Sequence, residues 1–142
     1  MTNQNILSKL PYSKPFLFVD EIIRIDENGV EGSYTFDENL DFYKGHFKDK
    51  PVTPGVILTE VMGQIGVVCL GIFLLNDTIK KDTAIALTST NIEFLKVVLP
   101  NEKVTVISEK IYFRFGKLKC KVMMKNTKEE IVCRGEIAGM MI

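Results

Sequence analysis

Residues 56–75 read VILTEVMGQIGVVCLGIFLL and form the longest apolar run of the chain. The uncharged part of this run, from Val61 to Asn76, falls short of the roughly 18 residues expected of a membrane span. Glu60 and Gln64 lie within the run, and a lone carboxylate is costly in lipid. The run therefore predicts a buried helix of a soluble protein and no membrane span.

Segments on both sides of this helix alternate apolar and polar residues, which is typical of strands with one buried face. Leu118, Cys120, Val122 and Met124, for example, alternate with lysines. Within 103–115 the apolar residues change from even to odd positions, which predicts a bulge or a strong bend. Strands are predicted within residues 16–25, 30–36, 83–98, 103–115, 117–124 and 131–141. A helix that is apolar nearly all round needs cover on most sides. We therefore predict an α+β fold, in which a curved antiparallel sheet of about six strands wraps one long central helix.

Composition limits the class of protein. The chain has 142 residues, 46% of them hydrophobic, which suits one domain over residues 1–142 and excludes wholesale disorder. The formal net charge is +0, so no overall field favours nucleic acid or an anionic membrane. Three scattered cysteines and no apparent secretory signal indicate a reducing, cytoplasmic location. One histidine and no Cys/His cluster predict no metal site.

Several common catalytic and cofactor motifs are absent from the sequence. There is no GxSxG elbow, no Walker loop and no HExxH pair. Gly63, Gly66 and Gly71 lie inside the predicted helix, so they indicate close packing of a neighbouring element and not a dinucleotide fingerprint. No cofactor is therefore predicted.

Two residues carry the chemistry that the sequence does suggest. His46 is the only histidine and precedes the helix, whereas Glu60 is a carboxylate two turns into it, with Gln64 one turn further along the same face. Either residue alone has a plain interpretation, His46 as a solvated loop residue and Glu60 as half of a structural ion pair. Together they suit elimination of water, with the imidazole as base and a buried carboxylic acid as proton donor.

The start of the helix is the predicted substrate-binding region. Thr53 is expected as N-cap and Pro54 in the first turn, with free amides beyond them that stabilise a carbonyl oxygen gaining charge. Gly55 allows close approach of a substrate to the backbone. The predicted substrate-binding residues are Gly55, Val56, Gln64 and Phe47.

Residues 10–66 also carry a family resemblance. The runs LPYSKPFLFVDEI and FYKGHFKDKPVTPGVILTEVMGQIG closely resemble the FabZ-type 3-hydroxyacyl-acyl-carrier-protein dehydratases. The matching elements are Leu10-Pro11, Pro15-Phe16-Leu17, Val19-Asp20, Gly45-His46-Phe47, Pro51-Val52, Pro54-Gly55-Val56, Glu60, Met62 and Gln64. The resemblance implies a hotdog fold, a long helix wrapped in a curved antiparallel sheet.

The resemblance also implies a function. It assigns His46 and Glu60 to catalysis, one from each chain of a dimer, and the Gly55 amide to the thioester carbonyl. It implies a lyase that acts on 3-hydroxyacyl chains carried by acyl carrier protein in fatty-acid or related polyketide or polyene biosynthesis. It implies a homodimer or a trimer of dimers, with no metal and no organic cofactor.

The chain departs from the family pattern at several positions. Tyr12 stands where the family usually has histidine, Lys48 where proline is usual, Thr53 for a common methionine and Gly63 for a common alanine. These departures leave the catalytic pair intact and concern chain length and carrier docking. Candidate lining residues for an acyl tunnel, which are equally expected as core, are Phe16, Phe18, Val67, Val68, Phe94 and Phe113. Candidate contacts for an acidic carrier protein, which are equally expected as solvated loop residues, are Lys44, Lys48 and Lys50.

Two other functions remain open at this point. A hotdog acyl thioesterase would hydrolyse a thioester with water activated by a carboxylate and would not require His46. A non-catalytic acyl-binding subunit of a synthase would require neither His46 nor the buried carboxylate of Glu60.

Overall fold

The computed structural model describes residues 2–78 and 83–142 of the chain. A short helix α1 spans Asn3–Ser8, and the central helix α2 spans Gly55–Leu75. The middle of α2, Gln64–Cys69, is a π-helical segment between two α-helical parts. Short 3-10 turns cover Asp41–Lys44 and Asn76–Thr78.

Six antiparallel strands form a single sheet in the described part of the chain, in the order β1-β2-β4-β5-β6-β3. The strands are β1 Glu21–Asp26, β2 Gly29–Thr35, β3 Ile85–Phe94, β4 Lys103–Arg114, β5 Lys117–Lys125 and β6 Ile131–Met141. The register of β4 against β5 shifts between Lys110 and Tyr112, which confirms the predicted bulge. Strands β1 and β3 lie at the two edges of the sheet.

The central helix fills the inside of this sheet. Every residue from Val61 to Ile72 is buried, and the inward residues of β4, β5 and β6 belong to the same apolar core. Helix α2 is long and apolar enough to span a membrane, but 72% of its most apolar stretch is buried inside the protein. It is therefore the core helix that the sequence predicts, and the predicted α+β hotdog arrangement is confirmed.

The helix glycines allow the sheet to approach closely, as predicted. A Cβ on Gly63 would lie 3.1 Å from the side chain of Leu87, and one on Gly71 would clash with Ile85. At Gly66 the neighbours are Val122 and Ser108, the hydroxyl of which donates to the Gly66 carbonyl at 2.8 Å.

Some predicted boundaries are wrong. The first strand begins at Glu21, not at 16, because the backbone of residues 16–18 bonds to the side chain of Gln64 and not to a strand. The N-cap of α2 is Pro54, because the hydroxyl of Thr53 bonds to that of Tyr43 at 2.5 Å. The third strand is shorter than the predicted 83–98.

Candidate active site

His46 lies in a loop whose backbone holds it from both sides. The 3-10 turn before it ends at Lys44, and the His46 N–H donates to the Phe42 carbonyl at 3.0 Å. The Val52 N–H donates to the His46 carbonyl at 2.9 Å. The imidazole Nδ1 lies 3.0 Å from the Val52 carbonyl oxygen, which only accepts hydrogen bonds. Nδ1 therefore carries the proton of the neutral ring, and Nε2 has the free lone pair.

Phe47 covers the imidazole. The two rings are stacked with centroids 4.3 Å apart and an interplanar angle of 22°, and the peptide bond between the two residues is cis. Reciprocal backbone hydrogen bonds between Phe47 and Lys50 close the loop. The Phe47 side chain is 59% exposed, so it forms an apolar surface beside His46.

Glu60 belongs to a hydrogen-bonded set in the second turn of α2. Its Oε2 accepts from Gln64 Nε2 at 2.9 Å, which confirms that the two side chains share a face of the helix. Gln64 is only 1% exposed, and its amide also bonds to the backbone of Phe16 and Phe18. All its polar atoms are therefore used by protein groups, and Glu60, which is half-buried, lies further out.

The first turn of α2 combines free amides with an apolar rim. The N–H groups of Ile57 and Leu58 donate to the Pro54 carbonyl, whereas those of Gly55 and Val56 lie where a helix offers no acceptor of its own. A Cβ on Gly55 would lie 3.2 Å from the ring of Phe94, so the absence of a side chain lets that ring approach. The Val56 side chain is 77% exposed.

Sequence reasoning did not identify Tyr12 as a neighbour of this site. Burial first, and then the nearby Glu60 carboxylate and Cys69, together raise the pKa of Tyr12 to about 12. The phenol therefore stays protonated and lies close to the carboxylate. The only sequence signal was that tyrosine replaces the histidine usual in the family.

Other predicted site residues divide between core and surface. Phe18, Val67 and Val68 are buried core residues, whereas Phe16 and Phe94 are about half exposed. The lysines proposed for carrier contact, Lys44, Lys48 and Lys50, are all exposed. Lys44 forms an ion pair with Asp41 at 3.3 Å.

His46 and Glu60 do not bond to each other within one chain. The contacts described for each of them, to Val52 and Phe47 and to Gln64 respectively, involve different neighbours. Five cavities among the described residues are lined by residues other than His46 and Glu60. Among residues 2–78 and 83–142, no three His, Cys, Asp or Glu side chains gather as a metal site requires.

Solved structures show the same fold. The dehydratase heterocomplex ApeI:P from Xenorhabdus doucetiae superimposes with a TM-score of 0.80 at 12% identity, covering 100% of this chain and 92% of that one. A mutant thioesterase, PA1618 from Pseudomonas aeruginosa, gives 0.69 at 11% identity over 100% and 94% of the two chains. At these identities the likeness concerns the fold alone.

Sequence comparison is more specific. The 3-hydroxyacyl-acyl-carrier-protein dehydratase FabZ of Caldicellulosiruptor bescii is 35% identical over 93% of this chain and 92% of its own. The FabZ of Clostridium perfringens is 34% identical over 96% of each. A family model described as a FabA-like domain matches residues 10–138, which include the His46 loop and helix α2. The chain thus belongs to the FabA-like domain family and is related, within it, to the FabZ dehydratases.

Proposed function

We propose that this protein is a hydro-lyase that converts 3-hydroxyacyl thioesters on acyl carrier protein into trans-2-enoyl thioesters. The observation that carries the proposal is the hydrogen bond between His46 Nδ1 and the Val52 carbonyl. It leaves Nε2 as a base with its lone pair available, on a loop that the backbone holds in place. Relatedness to FabZ dehydratases over nearly the whole chain supports the same reaction.

The other parts of the reaction have candidates at the start of α2. Glu60 donates a proton to the departing 3-hydroxyl group, while His46 takes a proton from C2 of the acyl chain. The Gly55 and Val56 amides, at the positive end of the helix dipole, stabilise the thioester oxygen as it gains charge. Phe47 and Phe94 provide apolar surface for the acyl chain beside these groups.

A second copy of the chain completes the site in this proposal. His46 and Glu60 have separate surroundings in one chain, and the ten-residue edge strand β3 has one side without a neighbouring strand in the described residues. Such an edge needs cover in a soluble protein. The exposed apolar residues Phe94, Leu95, Val97 and Leu99 follow along the same end of β3. We therefore place β3 at the interface of a homodimer, alone or as the unit of a trimer of dimers.

The proposed partner is an acyl carrier protein, because the curated relatives are named for that substrate. We propose that residues 1–142 act as one domain in fatty-acid or related polyketide or polyene biosynthesis. A cytoplasmic location agrees with three free, buried cysteines, which fit a reducing compartment.

The proposal is tested by assaying purified protein with 3-hydroxybutyryl-carrier and crotonyl-carrier thioesters in both directions. Interconversion without release of the carrier thiol is expected, and the His46→Ala and Glu60→Gln variants should remain folded and lose at least ~100-fold in rate. Release of free carrier thiol would instead show a thioesterase. Binding of the thioesters without turnover would show an acyl-binding subunit.

A further inference from the structure

A cavity of about 450 Å³ opens between the loop that precedes β1 and the loop that follows β2. We call it the Tyr34 cavity, because Tyr34, near the end of β2, forms part of its wall. None of the residues proposed above for catalysis or for binding of the thioester lines it. Its volume lies in the range of pockets that hold small organic molecules. The Tyr34 cavity is therefore a separate candidate for a binding site.

The ring of Tyr34 is held firmly, but its hydroxyl group is not hydrogen-bonded. The ring packs edge to face against Phe18 and Phe36, with centroids 5.5 and 4.9 Å apart. Only 7% of Tyr34 is exposed, and its hydroxyl has no hydrogen-bond partner among the described residues. No fully buried side-chain oxygen or nitrogen in the described part of the chain lacks such a partner, so this hydroxyl reaches the open space of the cavity. Because buried tyrosine hydroxyls usually have a partner, an unpaired one on a cavity wall points to a ligand.

Two carboxylates line the same cavity, and each has one oxygen without a hydrogen bond to a described residue. Asp20 Oδ2 accepts from the Thr35 N–H at 2.7 Å, and Asp37 Oδ1 accepts from the Asn39 N–H, also at 2.7 Å. These backbone contacts fix the two side chains in place. Neither carboxylate forms an ion pair with a described residue. The second oxygen of each carboxylate is therefore available to a donor.

The charge of the cavity lining favours a cation. Lys14 is the one cationic residue that lines the cavity in the described part of the chain, against the two carboxylates of Asp20 and Asp37. The lining is therefore negatively charged on balance. Burial first, and then electrostatic interaction with Asp20, Tyr43 and Asp37, raise the pKa of Tyr34 to about 12. The phenol thus stays protonated and neutral, and its oxygen can accept a hydrogen bond.

We propose that the Tyr34 cavity binds a primary alkylammonium group. An ammonium group has three N–H donors, which match the free oxygens of Asp20 and Asp37 and the hydroxyl oxygen of Tyr34. Hydrogen bonds between a cation and a carboxylate are among the strongest in proteins. Apolar residues line the rest of the cavity and suit the methylene groups of such a ligand; they are Pro15, Leu17, Val19 and Leu40. A free polyamine and a lysine side chain of another protein both offer this chemistry.

The binding test follows backbone amides by 15N–1H NMR while cadaverine or Nα-acetyl-lysinamide is added. The amides of Thr35 and Asn39 should shift, because they donate to the two carboxylates that gain a ligand. The amides of Asn28 and Gly29 donate to Asp26, a carboxylate outside the Tyr34 cavity, and should stay unchanged. No shift at Thr35 and Asn39 up to about 20 mM of either probe, or equal shifts at Asn28 and Gly29, would overturn the proposal. Tighter binding of cadaverine would identify a free polyamine as the ligand, and tighter binding of the lysine derivative a protein side chain.

Conservative variants test which groups hold the probe. Asp20→Asn and Asp37→Asn keep an oxygen for the backbone N–H but remove the negative charge, so each should weaken binding at least ~10-fold. Tyr34→Phe keeps the ring and should weaken binding by roughly 3- to 10-fold. Glu27→Gln removes an exposed charge outside the cavity and should bind as tightly as wild type. Equal affinities of the wild type and both aspartate variants would contradict the proposal.

A last comparison tests the sign of the charge that the cavity takes. Lys14→Gln removes the cation from the described lining and should bind cadaverine at least as tightly as wild type. Weaker binding by this variant, or binding of butyrate at the same amides, would show an anion site and overturn the proposal. Circular dichroism checks that each variant is folded. The titration requires no turnover, so its result does not depend on whether the protein is a dehydratase.

Discussion

The hydroxyl of Ser108, on β4, donates to the carbonyl of Gly66, in the π-helical part of α2, at 2.8 Å. Both groups are buried, and a π-helical turn inside an α-helix disturbs the regular i→i−4 pairing of carbonyls and N–H groups. The sheet therefore supplies a donor at the point where the helix is irregular. This contact connects the two layers of the fold one half-turn beyond Gln64.

Replacement of Ser108 by alanine is expected to lower the free energy of unfolding by about 1–3 kcal/mol, because the Gly66 carbonyl is left buried without that donor. Urea unfolding followed by circular dichroism measures the change. Ser13→Ala, at an exposed serine, should stay within about 0.5 kcal/mol of wild type. Equal stabilities of the two variants would show that the Ser108 hydrogen bond contributes nothing.

Gly71→Ala should destabilise the protein through overpacking. An added Cβ would overlap Cδ1 of Ile85, which is itself buried on β3. We expect a loss of about 1–3 kcal/mol in the free energy of unfolding, although alanine is the better helix former. Gly45→Ala is the control, because a Cβ there meets no atom within 4 Å. Thermal unfolding of both variants measures the difference, and a Tm for Gly71→Ala at or above wild type would contradict it.

The fold was largely predictable because its periodic signals are strong. An apolar run with no polar face requires cover on all sides, and alternating strands such as β5 provide a sheet with one apolar face. The boundaries were less predictable. Residues 16–20 have strand composition, yet the backbone of Phe18 and Phe16 bonds to the Gln64 side chain. These tertiary contacts, 46 and 48 residues apart in sequence, are revealed by no local pattern.

The site was predictable in its residue types but not in its contacts. His46 and Glu60 stood out because one is the sole histidine and the other a carboxylate in an apolar helix. The prediction that Thr53 is the N-cap was wrong, because its hydroxyl bonds to that of Tyr43 across the loop. Local propensity favours threonine as an N-cap whether or not such a partner is present. The Val52 carbonyl that fixes the imidazole tautomer is a backbone group, so the type of side chain at position 52 could not have predicted this contact.

Stability should fall at alkaline pH because of the three buried thiols. Burial raises the pKa of Cys69 and Cys133 to about 12 and that of Cys120 to about 11, from the ordinary value of 9.0. Below pH 9 the thiols are protonated in both the folded and the unfolded states, and their contribution is fully present. As the pH rises above 9, the unfolded chain ionises first, so stability is lost progressively up to about pH 12.

A cysteine variant separates the effect of the thiols on stability at alkaline pH from that of lysines and tyrosines. Each thiol that ionises only in the unfolded state costs about 1.4 kcal/mol per pH unit. Urea unfolding under reducing conditions at pH 8, 9 and 10 should therefore show a shallower decline for Cys69→Ala than for wild type, by about that slope above pH 9. Parallel declines of the two proteins would show that Cys69 is as easily ionised in the folded as in the unfolded state.

The proposed sharing of one site between two chains can be tested by mixing two inactive variants, which neither variant can do alone. In a mixed dimer of His46→Ala and Glu60→Gln chains, one site has both defects, whereas the other combines an intact histidine from one chain with an intact glutamate from its partner. Denaturing the two inactive variants together in equal amounts and refolding them should place about half of the dimers in the mixed form, and thus restore ~25% of wild-type activity. Each variant refolded alone should stay inactive, which controls for spontaneous recovery. If His46 and Glu60 instead act within one chain, every site in the mixture lacks one group, and activity should not rise above that of the separate variants.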